Sequence, residues 1–204
     1  MLTRGDRGDK ARGKAGAALA ACAMAALLAA TGCGSSGGGG LGGGQPSWAK
    51  ALGTGVTVVP PGSSSPGNDS PGGVMSGVYT AITKGPITDF CKYEQPSQQS
   101  ACNSTFSQVT QAEVASQLPN FKNFGIGYVA IDGTKALIGI TGTICVPHQT
   151  PKCFTNTDPA AIFKSGKPFA TLWTQAVAAP ANVYSLSPAV KVNGKWYAYT
   201  SSGA

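Results

Sequence analysis

Residues 124–145, FGIGYVAIDGTKALIGITGTIC, alternate apolar residues with small or polar ones at a period of two. This period predicts two β-strands, and the Asp132-Gly133 pair between them is typical of a tight hairpin turn. Glycines inside a strand indicate strong bending or the close approach of another backbone. We therefore expect a curved antiparallel sheet, with glycines inside its strands at Gly125, Gly127, Gly139 and Gly142.

A second hairpin is predicted near the end of the chain. Asn193-Gly194 divides residues 183–200, VYSLSPAVKVNGKWYAYT, into two β-rich segments. An Asn-Gly pair suits a two-residue hairpin turn because both residues accept positive φ angles. Trp196, Tyr197 and Tyr199 give the last strand a large aromatic area.

Helical patterns lie before the first hairpin. Apolar residues three and four apart predict a helix that ends at Lys84-Gly85-Pro86 and a second, shorter one between Pro86 and Pro96. Thr110 and Glu113 form the pattern of a capping box, which predicts a third helix up to Pro119. The residues that define the first two helices are Val74, Val78, Tyr79, Ile82, Ile87, Phe90, Cys91 and Glu94.

Another helical region is predicted between the two hairpins. Asp158-Pro159 has the pattern of an N-cap followed by a first-turn proline. An amphipathic stripe follows, and Ala179-Pro180 ends it. The stripe consists of Phe169, Leu172, Trp173, Ala176 and Val177.

The N-terminal thirty-two residues have the pattern of an export signal. Five basic residues lie within the first sixteen, and the uncharged run AALAACAMAALLAA follows at residues 17–30. This run is shorter than the roughly 18 to 20 apolar residues that a membrane-spanning helix needs. A basic start followed by a short apolar run predicts a signal peptide rather than a retained transmembrane helix.

The end of that signal, Ala30-Thr31-Gly32-Cys33, resembles the lipobox of bacterial lipoprotein precursors. The resemblance implies removal of residues 1–32 and a diacylglycerol, with palmitate-type chains, on Cys33. It also implies attachment to the extracytoplasmic face of the cell membrane. The family prefers Leu where this chain has Ala30, and the alternative is an ordinary secretory signal cut near that residue.

Residues 33–73 are dominated by Gly, Ser and Pro, apart from a short apolar patch from Trp48 to Val59. Such composition cannot bury enough surface to offset the entropy of ordering the chain. We therefore expect a flexible linker over 33–73, in which the patch is either an isolated strand or a sticky segment. A single α+β domain is expected over 74–204, a length that suits one hydrophobic core.

The charge of the chain disfavours nucleic acid as a partner. The net charge of +7 falls to +4 without residues 1–32, because ten lysines then stand against six carboxylates. All arginines lie in the leader, so the exported part has no guanidinium for bidentate contacts with phosphate. Its lysines are scattered singly, which is typical of a solvated surface.

Four cysteines remain outside the leader and Cys33, and an even number in an exported chain favours disulfides. We predict Cys91 with Cys102 and Cys145 with Cys153, because each pair brackets a short polar, proline-containing loop. The competing interpretation is a metal site made of Cys145, His148 and Cys153. That spacing matches no standard zinc pattern, so we expect no metal and no other cofactor.

The order of the predicted elements resembles the NTF2-like fold. Early helices are followed by long bent strands and by the exit segment Val192-Asn193-Gly194-Lys195-Trp196-Tyr197. The resemblance covers residues 74–201 and implies a cone in which a curved sheet wraps around the N-terminal helices. The segment Tyr79-Thr80-Ala81-Ile82, followed by Gly85, is also similar to secreted domains of actinobacterial lipoproteins. A small β-sandwich and an unrelated α+β fold are the alternatives.

No catalytic residue is predicted. His148 is the only histidine, and it lies between Pro147 and Pro151 without a second titratable group placed to orient it. Six aromatic residues could instead line an apolar ligand cavity at the mouth of the cone, although aromatics at these spacings also suit a plain core. The candidate pocket residues are Tyr79, Phe124, Tyr128, Trp173, Trp196 and Tyr197.

These observations predict a lipid-anchored, non-enzymatic binding module for a small apolar ligand or a protein partner of the cell envelope. The alternatives are an enzyme with the NTF2-like fold and a structural accessory of an envelope complex. An enzyme of that fold would need acid and base residues inside the cone, and neither Asp132 nor Asp158 is placed to supply them.

We predict that a Cys33→Ser variant leaves the membrane fraction, because two acyl chains on this one residue suffice for stable anchoring. Intact mass measurement of the wild-type membrane fraction should show the acyl addition together with the loss of residues 1–32. The matched control is Cys22→Ser, inside the leader, which should remain anchored. A Cys33→Ser protein that stays quantitatively membrane-bound contradicts the lipobox interpretation.

Overall fold

The structure of the protein is a computed structural model that describes residues 45–110, 113, 120–145, 153–178 and 186–199. These residues form an α+β fold around one six-stranded antiparallel sheet, which confirms the predicted class. The strands are β1 (Thr57–Val59), β2 (Asn120–Asp132), β3 (Lys135–Cys145), β4 (Cys153–Asn156), β5 (Leu186–Val192) and β6 (Lys195–Ala198). Their order across the sheet is β1-β2-β3-β5-β6, and β4 pairs with the far half of β3.

Helices lie against both faces of this sheet. The α-helices are α1 (Pro71–Thr83), α2 (Pro96–Phe106) and α3 (Phe169–Ala178). Short 3₁₀-helices are formed by Ser47–Leu52, Gly67–Asp69, Ile87–Tyr93 and Phe163–Ser165. The start of α1 is fixed by the Ser70 hydroxyl oxygen, which accepts a hydrogen bond from the Gly73 amide at 3.0 Å, because an N-cap acceptor satisfies one of the free donors of the first turn.

Both predicted hairpins are confirmed. In the β2–β3 hairpin, Asp132 pairs with Lys135, so the turn residues are Gly133 and Thr134, one position later than expected. In the β5–β6 hairpin, Val192 pairs with Lys195, and the turn falls on Asn193 and Gly194 as predicted. Their φ angles of 50° and 81° are both positive, which is the type I′ pattern that matches the twist of the strands.

Two β-bulges bend the β2–β3 hairpin. Residues 123–124 of β2 face Gly142 alone, and residues 127–128 face Gly139 alone. At the first bulge, Gly142 has a φ of 113°, and a Cβ there would lie 2.6 Å from the Asn123 carbonyl oxygen. Only glycine fits such a position, so the glycines inside the strands mark the bends of the sheet.

At the second bulge the backbone of Pro159 lies directly on the sheet. The Tyr128 amide donates a hydrogen bond to the Pro159 carbonyl oxygen at 3.0 Å. A Cβ on Gly127 would be 2.5 Å from that oxygen, and one on Gly139 would be 3.0 Å from it. These two glycines therefore allow the close backbone approach that the sequence indicated.

The outer edge of β3 is divided between two partners. Residues 135–139 pair with β5, and residues 142–145 pair with β4. The Ile140 carbonyl lies between the two pairings and accepts a hydrogen bond from the Asn156 side-chain amide at 2.7 Å. This bond supplies a partner for a strand carbonyl that neither neighbouring strand reaches.

The sheet separates two hydrophobic cores because alternate residues of a strand point to opposite faces. On β3, Ala136, Ile138 and Ile140 pack towards α1, whereas Leu137 packs towards α3. The α1 core also contains Val74, Met75, Val78, Ala81, Ile82, Ile87, Phe90, Val129, Ile144, Ala189, Trp196 and Ala198. The second core contains Ala49, Leu52, Val58, Ala130, Phe163, Phe169, Leu172, Ala176 and Leu186.

The predicted boundary between linker and domain at residue 74 is wrong. Ala49 and Leu52 are buried in the second core, and β1 pairs with residues 129–131 of β2. The apolar patch between Trp48 and Val59 is thus part of the sheet and of its helical cover. Its Gly- and Pro-rich flanks suggested disorder, and the sequence did not reveal that the strand partners of the patch lie seventy or more residues further along the chain.

The helical predictions are mostly confirmed. Val74, Val78 and Ile82 are the buried stripe of α1, and Phe169, Leu172 and Ala176 form that of α3. The second predicted helix is present as the 3₁₀-helix Ile87–Tyr93. The capping box of the third predicted helix is present. The Thr110 amide donates to the Glu113 carboxylate at 2.8 Å, and the Glu113 amide donates to the Thr110 hydroxyl at 3.2 Å. Most of the residues predicted for that helix lie outside the described residues.

One helix of the fold was not predicted, and the start of another was misplaced. The helix α2 was not predicted, because its sequence PSQQSACNSTF contains too few apolar residues to show a stripe. The prediction that a helix starts at Asp158-Pro159 is wrong. This segment is a turn followed by the 3₁₀-helix Phe163–Ser165, and α3 starts separately at Phe169. The leader, Cys33 and His148 lie outside the described residues. Within the part that the structure describes, no helix has both the length and the apolar character needed to cross a bilayer.

We predict that Gly127→Ala lowers the free energy of unfolding by about 1–3 kcal/mol, because the added methyl group would overlap the Pro159 carbonyl oxygen. Chemical denaturation with the disulfides intact measures this change. The matched control is Gly85→Ala, where the nearest atom to the new Cβ would be 3.5 Å away and the change should be close to neutral. Equal stabilities of the two variants would contradict the proposed contact.

Candidate functional site

The six aromatic residues of the predicted pocket do not line one cavity. Trp196 and Phe124 pack in or against the α1 core, and Tyr79 of α1 stacks on Phe124. Tyr128 and Trp173 pack against the second core. Tyr197 follows Trp196 on β6 and therefore points to the face opposite to it. The prediction of one shared lining is corrected by the sheet itself, which lies between the two groups.

The structure instead brings together Tyr79, Phe121 and Phe124, which we call the aromatic triad. The rings of Tyr79 and Phe124 are stacked with centroids 4.1 Å apart. Phe121 meets both edge-on, at 5.5 Å from Tyr79 and 5.9 Å from Phe124. Edge-to-face and stacked pairs of this kind add to the stabilisation that area burial gives. All three side chains are half-buried.

Phe121 was not predicted to share a face with Phe124, because it lies three residues before Phe124 on the same strand. Residues three apart on a regular strand point to opposite faces of the sheet. The bulge at residues 123–124, where Asn123 has a φ of 54°, shifts the phase of β2 by one residue. Phe121 and Phe124 therefore share the α1 face. The sequence signal that could have identified this bulge is Gly142 on the facing strand.

The triad continues into an apolar row across the neighbouring strands. Phe121 on β2 pairs with Ile144 on β3, which pairs with Phe154 on β4. Directly opposed residues lie on the same face, so these side chains extend the triad along the sheet. We call the triad together with Ile144 and Phe154 the apolar end. Ile144 is buried, and Phe154 is half-buried like the triad.

The other face of the same strands is polar. Lys122, Thr143 and Thr155 form the adjacent cross-strand row, which faces away from α1. The hydroxyl groups of Thr143 and Thr155 are hydrogen-bonded at 2.8 Å. The apolar end therefore occupies only the α1 face of this part of the sheet, and an apolar ligand would find its complementary surface there.

Five other aromatic residues hold the second helical layer together and attach it to the sheet. Trp48 stacks on Phe163 at 5.6 Å and meets the edge of Tyr128 at 5.1 Å. Trp173 contacts Tyr199 at 5.6 Å, and the Lys135 ammonium lies 5.4 Å from the centre of the Trp173 ring. These contacts join helices to strands and to one another, so we assign them to packing rather than to ligand binding.

Both predicted disulfides are present. Cys91 is bonded to Cys102 with an S–S distance of 2.05 Å, and Cys145 to Cys153 with 2.03 Å. The first bond joins the 3₁₀-helix Ile87–Tyr93 to α2, and the second links β3 to β4 where the two residues face each other. Cysteines in disulfides carry no thiolate for a metal. Among the described residues no group of three or more His, Cys, Asp or Glu side chains could hold a metal ion.

Several carboxylates are held in ion pairs or in hydrogen bonds with neighbouring side chains. Asp89 contacts the Lys92 ammonium at 2.7 Å, and Asp69 contacts that of Lys195 at 2.5 Å. The hydrogen bond and the negative charge of each carboxylate raise the pKa of the paired lysine. Hydrogen bonds from the backbone and side chain of Thr110 lower the pKa of Glu113. All of these charged groups lie on helices except Lys195, which is the first residue of β6.

The ion pair of Asp158 and Lys164 is less exposed to solvent than the other two. One carboxylate oxygen accepts a hydrogen bond from the Ala160 amide at 2.9 Å, and the other contacts the Lys164 ammonium at 2.7 Å. Burial acts to raise the pKa of Asp158, but the hydrogen bonds from Lys164 and Ala160 and the charge of Lys164 outweigh it, so the pKa is lowered. The pair holds the turn that places Pro159 on the sheet.

No protein-family model, no curated protein and no solved structure matches this chain.

We predict that Asp158 makes folding stability dependent on pH in the acidic range. Its lowered pKa means that it stabilises the fold above its ordinary pKa, near 3.8, and that this stabilisation is lost as the pH falls through the lower folded value. Thermal unfolding is measured at neutral pH and at acidic pH. The loss of stability on going to acidic pH should be smaller for Asp158→Asn than for wild type. The side-chain oxygen of Asn can still accept the hydrogen bond from the Ala160 amide. The loss in the free energy of unfolding at neutral pH should therefore be about 1 kcal/mol or less.

Lys164→Gln is the accompanying variant. It should reduce the pH dependence only in part, because the hydrogen bond from the Ala160 amide to Asp158 remains. A wild-type pH dependence in Asp158→Asn would contradict the assignment.

Proposed function

We propose that this chain is a lipoprotein, anchored through Cys33 to the extracytoplasmic face of the cell membrane, whose domain binds a small apolar ligand without catalysis. The observation that carries the binding role is the aromatic triad, three half-buried rings that meet on one face of the sheet. The lipobox resemblance of residues 30–33 supports the anchor.

Export is supported by the two disulfides. Disulfides persist in oxidising compartments and are rare in the cytosol, where thiols are kept reduced. In this chain they join α2 to its neighbour and β4 to β3, so parts of the fold are attached by bonds that require an oxidising environment. The signal-like pattern of residues 1–32 supports the same location.

The size of the apolar end sets what kind of ligand it suits. If ligand and protein together bury about 300 Å² of apolar surface, the gain is roughly 7 kcal/mol. Association costs at least several kcal/mol in lost freedom of motion. A single small ring would therefore bind weakly, and a longer apolar chain that runs from the triad towards Ile144 and Phe154 would bind better.

The NTF2-like arrangement is also part of the proposal. The bulged, curved sheet and the position of α1 against one of its faces support it. The second helical layer, formed by Ser47–Leu52, Phe163–Ser165 and α3 on the other face, is an addition to the expected cone. The engagement of Asp69, Asp89 and Asp158 in ion pairs with lysines favours binding over acid–base catalysis.

We predict that Phe124→Ala weakens the binding of an apolar fluorescent probe such as N-phenyl-naphthylamine roughly ten-fold, because it removes the stacked partner of Tyr79. Probe titration of the full chain measures the affinity, and native mass spectrometry of the same samples shows any co-purified ligand. Thermal unfolding establishes that each variant is folded at the temperature of the titration.

The matched control is Tyr128→Ala, an aromatic residue of the same strand that packs on the opposite face. It should leave probe affinity within about two-fold of wild type, since it lies outside the apolar end. If both variants lose affinity equally, or if neither does, the apolar end is not the binding site.

A further inference from the structure

The two helical layers carry opposite net charges. The layer that contains the first described helix, residues 45–56 and 157–178, has Lys50, Lys164 and Lys167 against the single carboxylate of Asp158, a net charge of +2. We call it the tethered layer. Residues 60–110, which include α1 and α2, have two lysines against three carboxylates, a net charge of −1.

The lysines of the tethered layer are accessible to solvent. Lys50 and Lys167 are exposed, and the Lys164 side chain, paired with Asp158, is 35% exposed. The Lys167 ammonium is held 3.3 Å from the side-chain oxygen of Gln175 on α3.

The described part of the chain begins in this same layer. Because the helix that starts at Ser47 already belongs to the fold, thirteen residues, 34–46, separate it from Cys33. Fully extended, such a segment spans at most about 50 Å. A domain of this size is about 40 Å across, so the path around its surface to the opposite layer is about 60 Å. The length of the tether therefore favours the tethered layer as the side nearest the bilayer.

We propose that the tethered layer docks on the anionic headgroups of the bilayer to which Cys33 is anchored, which leaves the α1 face and its apolar end directed away from the membrane. The proposal rests on the proposed lipid anchor. Charge complementarity identifies the occupant, because lysines near an anionic lipid surface are attracted to it, each by a factor of about five in affinity. The carboxylates of the opposite layer would be repelled by the same surface.

Lysine footprinting tests this orientation on the protein purified from the membrane fraction with its natural anchor. The protein is reconstituted in vesicles of phosphatidylcholine alone or of phosphatidylcholine mixed with phosphatidylglycerol. Brief acetylation followed by peptide mass spectrometry gives the reactivity of each lysine. We expect the reactivity of Lys50 and Lys167 to fall about five-fold or more in the anionic vesicles. Lys84, exposed at the end of α1, is the internal control and should be unchanged.

Two changes should remove the protection. Raised salt screens the attraction between exposed lysines and headgroups. The double variant Lys50→Gln/Lys167→Gln should restore the reactivity of Lys164 to its value in neutral vesicles, whereas Lys84→Gln should leave the protection of Lys50 intact. These results support docking through charge rather than through the anchor alone.

The outcomes separate this inference from the proposed function. Equal reactivity of Lys50 and Lys84 in anionic vesicles, with the acyl group present on Cys33 by intact mass, overturns the docking and leaves the anchor standing. Protection of Lys84 in place of Lys50, or protection that is the same in neutral vesicles and insensitive to salt, also overturns it. Absence of an acyl group on Cys33 overturns the anchor and the docking together.

Discussion

The contact between the Pro159 carbonyl and the bulge of β2 joins the sheet to its second helical layer. Two glycines, Gly127 and Gly139, leave the space in which the Pro159 backbone lies on the strands. The hydrogen bond from the Tyr128 amide fixes the position of that carbonyl. The ion pair of Asp158 and Lys164 then holds the turn from which Phe163 enters the core. If side chains filled the two glycine positions, the layer that carries Trp48 and α3 could not approach the sheet in this way.

A β-bulge, which is an extra residue in β2, also creates the candidate site. The bulge at residues 123–124 brings Phe121 and Phe124 to one face, where Tyr79 of α1 stacks between strand and helix. A regular strand would have separated the two phenylalanines and left one of them among the threonines of the outer face. Curvature and the apolar end are therefore two consequences of one irregularity, opposite Gly142.

The sheet divides the chemistry of the molecule as well as its core. One face carries α1, the apolar end and a slight excess of carboxylates, and the other carries the lysine-containing layer in which the described chain begins. Each disulfide attaches an element that buries little surface of its own. One attaches α2, which has no buried residue, and the other attaches the four-residue strand β4. Covalent bonds there take the place of burial, since short or polar elements gain little from packing alone.

The sequence by itself determined the features that depend on neighbouring residues. The Asn193-Gly194 turn, the Thr110 and Glu113 capping box, the stripes of α1 and α3 and the pairing of nearby cysteines are all local. Only the tertiary structure decided that Trp48 to Val59 belongs to the fold, because its partners are distant in the chain. It also decided which aromatic residues share a face. Strand phase is set by bulges, and a bulge depends on what the facing strand and the overlying backbone allow, as Gly142 and Pro159 show.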